Sequence, residues 1–513
     1  MVGYGRIVTQ TSTTPTHRAS VREWASLGVL TLAVVLLAID GTVLALAVPS
    51  LTADLDPTAT QVLWIGDVYS FALAGLLVTM GNVADRIGRK RLLLIGSVAF
   101  GLASAAAAFA SSPELLIAAR ALLGIAGATL MPSTLSLVRT IFRDPRQRTT
   151  AIAVWSAGAT GGAAAGPLVG GALLEHFWWG SVFLINIPVI AVIVVAGAFL
   201  LPESRGGART PIDLLSAVLS VLAIVPLVYA VKHLAGHGFD WTVPVAAMVG
   251  LGAGWWFVRR QARLTTPLID LQLFRIPAFS GAVIANSLSV FALSGLLFFF
   301  SQYLQLVRGF TPLLAGAAEL PAALASIAVI AVIGLLTRYV GPGRSIGLGL
   351  AVAAVGMAGL AFAEGLPTYW GIAIALAVVG IGVGVSMTLA TDAVVAAAPR
   401  ERAGAASAIS ETGYELGVAL GIAVLGSLQT AFYRSSLDLS GEGLGAGITD
   451  RVRESLASAT QALQPGSPVL EHARDAFTGG MQLASVGAAV LLAVAAVVAL
   501  RVIPNRQDGP HDL

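Results

Sequence analysis

The sequence predicts an all-α, polytopic membrane protein with fourteen transmembrane helices. Only 11% of its 513 residues are charged, against roughly a quarter in soluble domains. The 56% that are hydrophobic gather into runs of about twenty residues, long enough to cross the hydrocarbon core of a bilayer. One large soluble core is therefore excluded as the main interpretation. The absence of cysteine also excludes disulfides, thiolate nucleophiles and Cys-ligated zinc.

The predicted spans are separated by polar or turn-forming segments. They cover residues 27–50, 62–84, 91–110, 114–139, 150–175, 180–201, 212–233, 242–260, 278–306, 312–337, 344–364, 368–391, 404–431 and 477–502. We group them into an N-terminal six-helix bundle (27–201), two inserted helices with their linker (202–263) and a C-terminal six-helix bundle (264–502), flanked by tails 1–26 and 503–513. Because the inserted pair carries few embedded charges, we interpret it as a scaffold between the bundles.

The charge distribution predicts the orientation of the chain. An even number of spans places both termini on one side, and most lysine and arginine residues fall in the tails and loops of that side, including "RIGRKR" and "RTIFRDPRQR". Since positively charged loops stay in the cytoplasm, we expect cytoplasmic termini and a bacterial inner membrane. The first apolar run is long for a signal peptide and contains Asp40, so we expect a retained span.

A long extracellular segment, residues 432–476, interrupts the pattern of short connections. It contains the amphipathic stretch "ITDRVRESLASATQAL". A solvated or interfacial hairpin is the simpler interpretation, and a lid or a partner-docking element is the alternative.

A glycine- and charge-rich loop, "GNVADRIGRKR", joins spans 2 and 3. Its first glycine allows two helices to approach closely, its acid can accept hydrogen bonds from a helix N-terminus, and its basic residues can pair with acids or lipid phosphates. The residues are Gly81, Asp85, Arg86, Gly88, Arg89 and Lys90. This spacing between the second and third spans resembles the signature loop of the major facilitator superfamily.

Two further motifs extend the resemblance. "ARALLGIAGATLMPS" in span 4 is similar to the family's motif of Arg, two residues, Gln and Gly: Arg120 and Gly124 match, whereas Leu123 stands where glutamine is usual. A polar partner of Arg120 is therefore either missing or supplied elsewhere. "GAAAGPLVGG" in span 5 is similar to the antiporter motif of exporters, for which close packing and a helix bend give the physical reason. Its residues are Gly162, Gly166, Pro167, Gly170 and Gly171.

Four stretches narrow the resemblance within the family. "LLAIDGTVLALAVPSL", "LWIGDVYSFALAGLL" and "FWWGSVFLINIPV" resemble the fourteen-span drug:proton antiporter branch. "AASAISETGYELG" in span 13 most closely resembles exporters of quaternary ammonium compounds, ethidium and related cationic dyes. The resemblance covers roughly residues 25 to 505.

Charged residues within the spans are candidates for function, because each costs about 2.5–3.5 kcal/mol to insert and such groups usually pair or line a cavity. Asp40 in span 1 lies near mid-membrane. Asp67 in span 2 and Arg120 in span 4 share a depth. A structural Asp67–Arg120 ion pair and a role in proton coupling or cation access are the two interpretations that the residues leave open.

Two carboxylates one helical turn apart, Glu411 and Glu415, lie deep in span 13. Low dielectric favours a protonated carboxylic acid, while an adjacent lipophilic cation favours the ionised form, so proton and cation compete for such a site. Glu319 in span 10 is a further candidate ligand. Tyr69, Tyr414 and Trp64 can add cation–π contacts to a drug cation.

The resemblance implies a major facilitator fold of two six-helix bundles, related by a pseudo-two-fold axis and rocking around a midplane site, plus the two inserted central helices. The matching motifs imply roles in coupling and substrate recognition for Asp40, Glu411 and Glu415. No such motif anchors the match of Glu319 to the family's acid in helix 10. We extend proton coupling to Arg120 and Asp67. The loop from Asp85 to Lys90 would latch the bundles in one state.

The first functional hypothesis is a monomeric, proton-driven exporter of hydrophobic cationic drugs that works by alternating access, needs no cofactor beyond the proton gradient, and meets membrane lipids but no nucleic acid. The nearest alternative is export of an endogenous lipid or a self-made antibiotic. A membrane sensor would need neither the antiporter glycines nor midplane acids. An enzyme is not expected, since the sequence contains neither a phosphate-binding loop nor a cluster of metal ligands.

Overall fold

The structure, a computed structural model, describes residues 19–205, 213–265, 267–399, 403–439 and 444–505. Most of both predicted tails, linker residues 206–212 and part of the predicted hairpin lie outside these ranges. Within them, every regular element is a helix. The predicted all-α polytopic fold is confirmed.

The helices follow the predicted order of bundle, insertion and bundle. The N-terminal bundle contains α1 (Val21–Leu55), α2 (Ala59–Ile87), α3 (Arg89–Ala108), α4 (Pro113–Ile141), α5 (Pro145–His176), the short α6 (Ser181–Leu184) and α7 (Asn186–Leu200). The insertion is α8 (Leu214–His237) and α9 (Thr242–Gln261). The C-terminal bundle contains α10 (Pro277–Gln302), a π-helical turn (Tyr303–Val307), α11 (Pro312–Ala318), α12 (Leu320–Val340), α13 (Pro342–Ala363), α14 (Tyr369–Ala397), α15 (Ala403–Ser436), α16 (Ala446–Glu454), α17 (Leu456–Ala462) and α18 (Pro468–Val502).

Thirteen spans among the described residues are long and apolar enough to cross a membrane. The predicted span that is missing from these thirteen is the eighth, 242–260, which corresponds to α9, a helix of 20 residues with Arg259 and Arg260 in its last turn. We call the side of the molecule where α1 begins and α18 ends the terminal face, and the other side the opposite face.

Helix caps explain why two helices start earlier than the apolar runs. Ser20 and Glu23 form a capping box that begins α1 six residues before the predicted span. Ser467 caps α18, and Pro468 occupies its first position, where a missing N–H costs nothing. The predicted segment 432–476 is therefore shortened at both ends by helix.

The tenth predicted span is not continuous. Glu319 interrupts it between α11 and α12. Pro321 follows two residues later, and a proline lacks the N–H that would continue the helical hydrogen bonds. The break places a carboxylate at a helix junction.

Each bundle has its own apolar core, and the second core reaches across the gap between the bundles. Leu46, Val48, Val62 and Leu63 belong to the N-terminal bundle but pack in the core of the C-terminal one. These residues lie towards the opposite face, where α1 ends and α2 begins. The bundles are thus in contact on that side.

The seam between α5 and α11 shows how close the bundles come at the opposite face. A Cβ atom added to Gly171 would lie 2.7 Å from the Cα atom of Leu313, and one added to Gly316 would lie 2.7 Å from the carbonyl carbon of Pro167. The Glu175 carboxylate also accepts a hydrogen bond from the Leu313 amide at 3.3 Å. The opposite face is closed here by backbone-to-backbone contact.

The hairpin of α16 and α17 packs on the opposite face. Val452 and Leu456 are buried. Glu454 accepts a hydrogen bond from the Ala59 amide at 2.6 Å and pairs with Arg434 at 2.9 Å, so it joins α2 to α15. The hairpin is therefore packed against the bundles rather than solvated on all sides, and a role as a lid stays a prediction.

Candidate functional site

A buried ion pair joins α1 and α4 in the middle of the N-terminal bundle. Arg120 Nη1 lies 3.2 Å from Asp40 Oδ2. The Asn186 side-chain amide, on the first residue of α7, donates to Asp40 Oδ1 and to the Ser104 hydroxyl, both at 2.8 Å. Neither charged side chain is more than 2% exposed. The negative charge of Asp40 is therefore balanced within its own bundle.

The rest of the Arg120 guanidinium is held by α2. Its Nε donates to the Ile65 carbonyl at 3.1 Å, and its carbon lies 4.8 Å from the centre of the Tyr69 ring. Gly124 permits this approach, because an added Cβ would lie 2.8 Å from that of Ala72. The polar partners of Arg120 thus come from other helices, and Leu123 is a core residue.

Of the two interpretations left open for Asp67 and Arg120, a structural ion pair between them is wrong. Asp67 instead pairs with Lys232 of α8, whose Nζ lies 2.8 Å from Oδ1 and 2.6 Å from Oδ2. Both side chains are fully buried. The shared depth was inferred correctly, but depth along a helix does not say towards which neighbour a side chain points.

Lys232 is one of the few charges embedded in the inserted helices, and the interpretation of these helices as a scaffold gave it no role. Its Nζ lies 3.7 Å from the centre of the Trp64 ring, which was predicted to contact a drug cation. The insertion therefore contributes a cation to the interior.

The two acids of α15 face the N-terminal bundle. The Ser70 side chain of α2 is a near neighbour of Glu415, which is 8% exposed, and Glu411 is half-buried one turn away. Among the described residues, neither acid has a cationic partner within ion-pair distance. Tyr414 lies beside both, as predicted for an aromatic neighbour of the site.

Tyr69 connects the two groups of acids. It is 4% exposed, and both Asp40 and Glu415 are near enough to interact electrostatically with it. Tyr69 therefore links the Asp40–Arg120 pair inside the N-terminal bundle to Glu415 on α15 of the other bundle. We call these four residues, with Glu411 and Tyr414, the central cluster.

Glu319 lies apart from the central cluster. It is 6% exposed, and no described residue hydrogen-bonds its Oε1 atom. Its electrostatic neighbour is Tyr369, whose hydroxyl donates to the Ala318 carbonyl at 2.6 Å. This position does not support a direct role for Glu319 in the central cluster.

The antiporter motif is divided between two neighbours. Gly162, Gly166 and Gly170 face α1: an added Cβ would lie 2.9 Å from the Val35 carbonyl oxygen at Gly162 and 2.5 Å from a Val43 methyl group at Gly170. Pro167 and Gly171 face α11 of the other bundle. One side of the motif therefore packs within a bundle and the other forms the seam.

The signature loop makes its described contacts within the N-terminal bundle and with the linker that follows it, where the Arg89 amide donates to the Ser204 carbonyl at 2.8 Å. Asp85 pairs with Arg89 at 2.9 Å, and Lys90 donates to the Ala198 carbonyl at 2.7 Å. Arg86 is exposed. A latch between the bundles stays a prediction, since none of these contacts crosses to the second bundle.

The two glycines of the signature loop differ in whether the surrounding structure has room for a side chain. Gly88 has a φ of +115° and faces the Glu203 side chain, so it requires glycine. A Cβ at Gly81 would lie 3.8 Å from Pro132, an ordinary contact. Close helix approach was therefore the wrong explanation for Gly81.

Sequence reasoning missed three buried polar residues. Asn186 and Lys232 are described above, and Glu364, at the end of α13, is 2% exposed and accepts from Ser485 at 3.2 Å. The signal for Asn186 was a lone polar residue in the apolar run "LINIPV", and the signal for Lys232 was its place beside His233 within the predicted span, in "LVYAVKHLAG".

Comparisons with known proteins agree over nearly the full chain. The family model of the Major Facilitator Superfamily matches residues 30–422. The multidrug efflux pump LfrA of Mycolicibacterium smegmatis is 48% identical over 492 residues, which cover 95% of this chain and 97% of that protein. The methyl viologen resistance protein SmvA of Salmonella typhimurium is 38% identical, with 92% and 97% covered. The tetracenomycin C resistance and export protein of Streptomyces glaucescens is 32% identical, with 95% and 93% covered.

A solved structure supports the fold. The crystal structure of a bacterial homologue of the human lysosomal transporter Spinster superposes with a TM-score of 0.67 at 18% identity and covers 95% of this chain and 98% of that one. Fold, motifs and relatives agree: the chain belongs to the Major Facilitator Superfamily of membrane transporters.

Proposed function

We propose that this protein exports lipophilic cations, such as quaternary ammonium compounds and ethidium-like dyes, in exchange for protons. Relatives named for multidrug efflux and methyl viologen resistance support a drug substrate. The observation that carries the proposal is the pair Glu411 and Glu415, two acids at the bundle interface without a cationic partner among the described residues.

Asp40 has a cationic partner, whereas Glu411 and Glu415 have none in the part of the chain that the structure describes, so we assign different roles to these acids. Arg120 and Asn186 contact the Asp40 carboxylate, so Asp40 fixes the position of Arg120 and, through it, Tyr69. Glu411 and Glu415 have no such partner, and a buried carboxylate without a counter-ion binds either a proton or another cation. Exchange of drug and proton therefore takes place on α15.

Competition at these acids couples the two movements. A drug cation that binds between Glu415 and the Tyr69 and Tyr414 rings favours the ionised acids and releases their protons. Protons that arrive from the other side displace the drug. Because the acids are one turn apart, they titrate as a coupled pair.

The conformation described here represents the state closed to the outside in this cycle. With the termini in the cytoplasm, the opposite face is extracellular, and the α5–α11 seam and the α16–α17 hairpin seal it. Release of drug requires this seam to part as the bundles rock. We propose that the protein lies in the bacterial inner membrane.

The runner-up is export of a self-made antibiotic by the same machinery. It is favoured by the relative from Streptomyces glaucescens, which is named for tetracenomycin C export. In that case the acids would couple protons without matching the charge of the substrate.

The test is ethidium transport into or out of reconstituted vesicles under an imposed pH gradient. We expect wild-type protein to move ethidium only with the gradient, and Glu415→Gln and Glu411→Gln to reduce the rate at least about tenfold, since each removes a proton-exchanging group. Asp54→Asn, the same acid-to-amide kind of change at an exposed position of α1, is the matched control and should retain the wild-type rate.

Two outcomes would contradict the proposal. If wild-type vesicles neither move ethidium nor change internal pH when it is added, cation export is wrong. If both amide variants transport at the wild-type rate, export stands but the assignment of exchange to α15 does not.

A further inference from the structure

The inserted helix α8 bridges the two bundles at the seam between α2 and α15. Val228 of α8 packs with Phe71 of α2 and with Ala419 and Ala423 of α15. Nearer the opposite face, the Gly236 carbonyl of α8 accepts a hydrogen bond from Arg434 of α15. The helix thus contacts both moving parts of the transporter.

Within this bridge, Lys232 occupies a site with the chemistry of an organic-cation site. The Asp67 carboxylate holds its ammonium group by both oxygens, at 2.6 and 2.8 Å, and the Trp64 ring lies on it at 3.7 Å. A carboxylate with an aromatic face is the combination that binds quaternary and aromatic cations. Trp64 is only half-buried, so part of this ring is accessible.

The site also lies next to the exchange site along one helix. Asp67 precedes Ser70, a near neighbour of Glu415, by three residues of α2. Three residues span about 4.5 Å along a helix axis. A cation that leaves Glu415 towards the opposite face therefore meets Asp67 and Trp64 next.

We propose that Asp67 and Trp64 form a second site for the transported organic cation, held in the substrate-free protein by Lys232, which the cation must displace. Lys232 is then an internal competitor that sets how tightly substrate binds on its way out. The inference rests on the proposed cation export and adds the inserted helix to its machinery.

The chain offers a direct test because it contains only two lysines, Lys90 and Lys232. Full-length protein in detergent is treated with a small amine-acylating reagent, with and without saturating ethidium, and both lysines are quantified by mass spectrometry. Displacement exposes the ammonium group, so modification of Lys232 should rise on the order of tenfold with ethidium. Lys90, at the terminal face, is the internal reference and should not change.

A second measurement uses ethidium affinity, read from its fluorescence. Lys232→Ala removes the competitor, so ethidium should bind about tenfold more tightly. The double variant Lys232→Ala with Asp67→Asn should lose this gain, because the carboxylate that receives the cation is gone. Trp64→Leu keeps the ion pair and should weaken binding, which serves as the readout if the lysine variant does not fold.

The outcomes separate this inference from the function it rests on. If ethidium does not bind to wild-type protein, cation export itself fails. If ethidium binds but leaves the modification of Lys232 unchanged, or if Lys232 is already fully modified without it, the displacement idea is overturned and export is unaffected. A gain of affinity that persists in the double variant also overturns it.

Discussion

Alanine at Gly316 should weaken the closure of the opposite face without unfolding either bundle. The added Cβ would lie 2.7 Å from the Pro167 carbonyl carbon and closer still to its oxygen, and a backbone group cannot rotate away as a flexible side chain can. Gly171→Ala acts from the other side of the same seam, at 2.7 Å from the Cα atom of Leu313. Both contacts exist only while the bundles touch there.

The expected shift towards the open state follows from the energetic cost of overpacking. Inserting a methyl group into a well-packed contact costs about 1–3 kcal/mol. Here the bundles can relieve it by parting, so the cost shifts the equilibrium between closed and open states roughly 5- to 150-fold towards open. Gly161→Ala, on the same helix as Gly171 but with nothing within 4 Å of the added Cβ, is the control.

The assay is a distance measurement between spin labels on Phe109→Cys and Trp370→Cys. The two positions belong to different bundles, near the opposite face, and are 68% and 76% exposed; the chain has no cysteine of its own. Gly316→Ala and Gly171→Ala should move the population to longer distances, and Gly161→Ala should match the unmodified pair. A distribution unchanged in both seam variants would refute the reasoning.

Three substitutions test the local geometry of the N-terminal bundle and of its signature loop. Asn186→Leu should lower the free energy of unfolding by about 1–3 kcal/mol, because Asp40 loses a buried hydrogen bond. Thermal unfolding measures this loss. An unchanged unfolding midpoint would mean that Asn186 does not support Asp40. Gly88→Ala should lower the free energy of unfolding by at least about 1 kcal/mol, because a φ of +115° is strained for alanine and the Glu203 side chain must move. Gly81→Ala should leave the free energy of unfolding nearly unchanged. Equal losses of stability at both glycines would contradict this account.

The fold could be predicted because its signals are local in the sequence. Each span is a run of apolar residues, and the motifs of the loop after span 2 and of spans 4 and 5 are contiguous. Helix ends were less predictable, since Ser20 and Ser467 cap their helices outside the apolar runs. The break at Glu319 depends on Pro321, whose effect on a long apolar segment is not visible from hydropathy.

The partners within the site could not be predicted in the same way. Asp40, Arg120 and Glu415 were recognised as buried charges, but their pairing depends on how the helices are rotated and which bundle each one faces. Depth suggested Asp67 for Arg120, and the structure assigns Asp40. Lys232 was overlooked because it lies near the end of an apolar run, where a lysine commonly marks the membrane boundary.

The position of α8 has a consequence for any shorter version of this transporter. If the two bundles were joined directly, the groove between α2 and α15 would be filled by lipid tails, which offer no counter-charge to Asp67. Such a chain would have to give up the acid or bring a replacement base from another helix. The inserted pair and the aspartate should therefore be gained and lost together as one inherited unit.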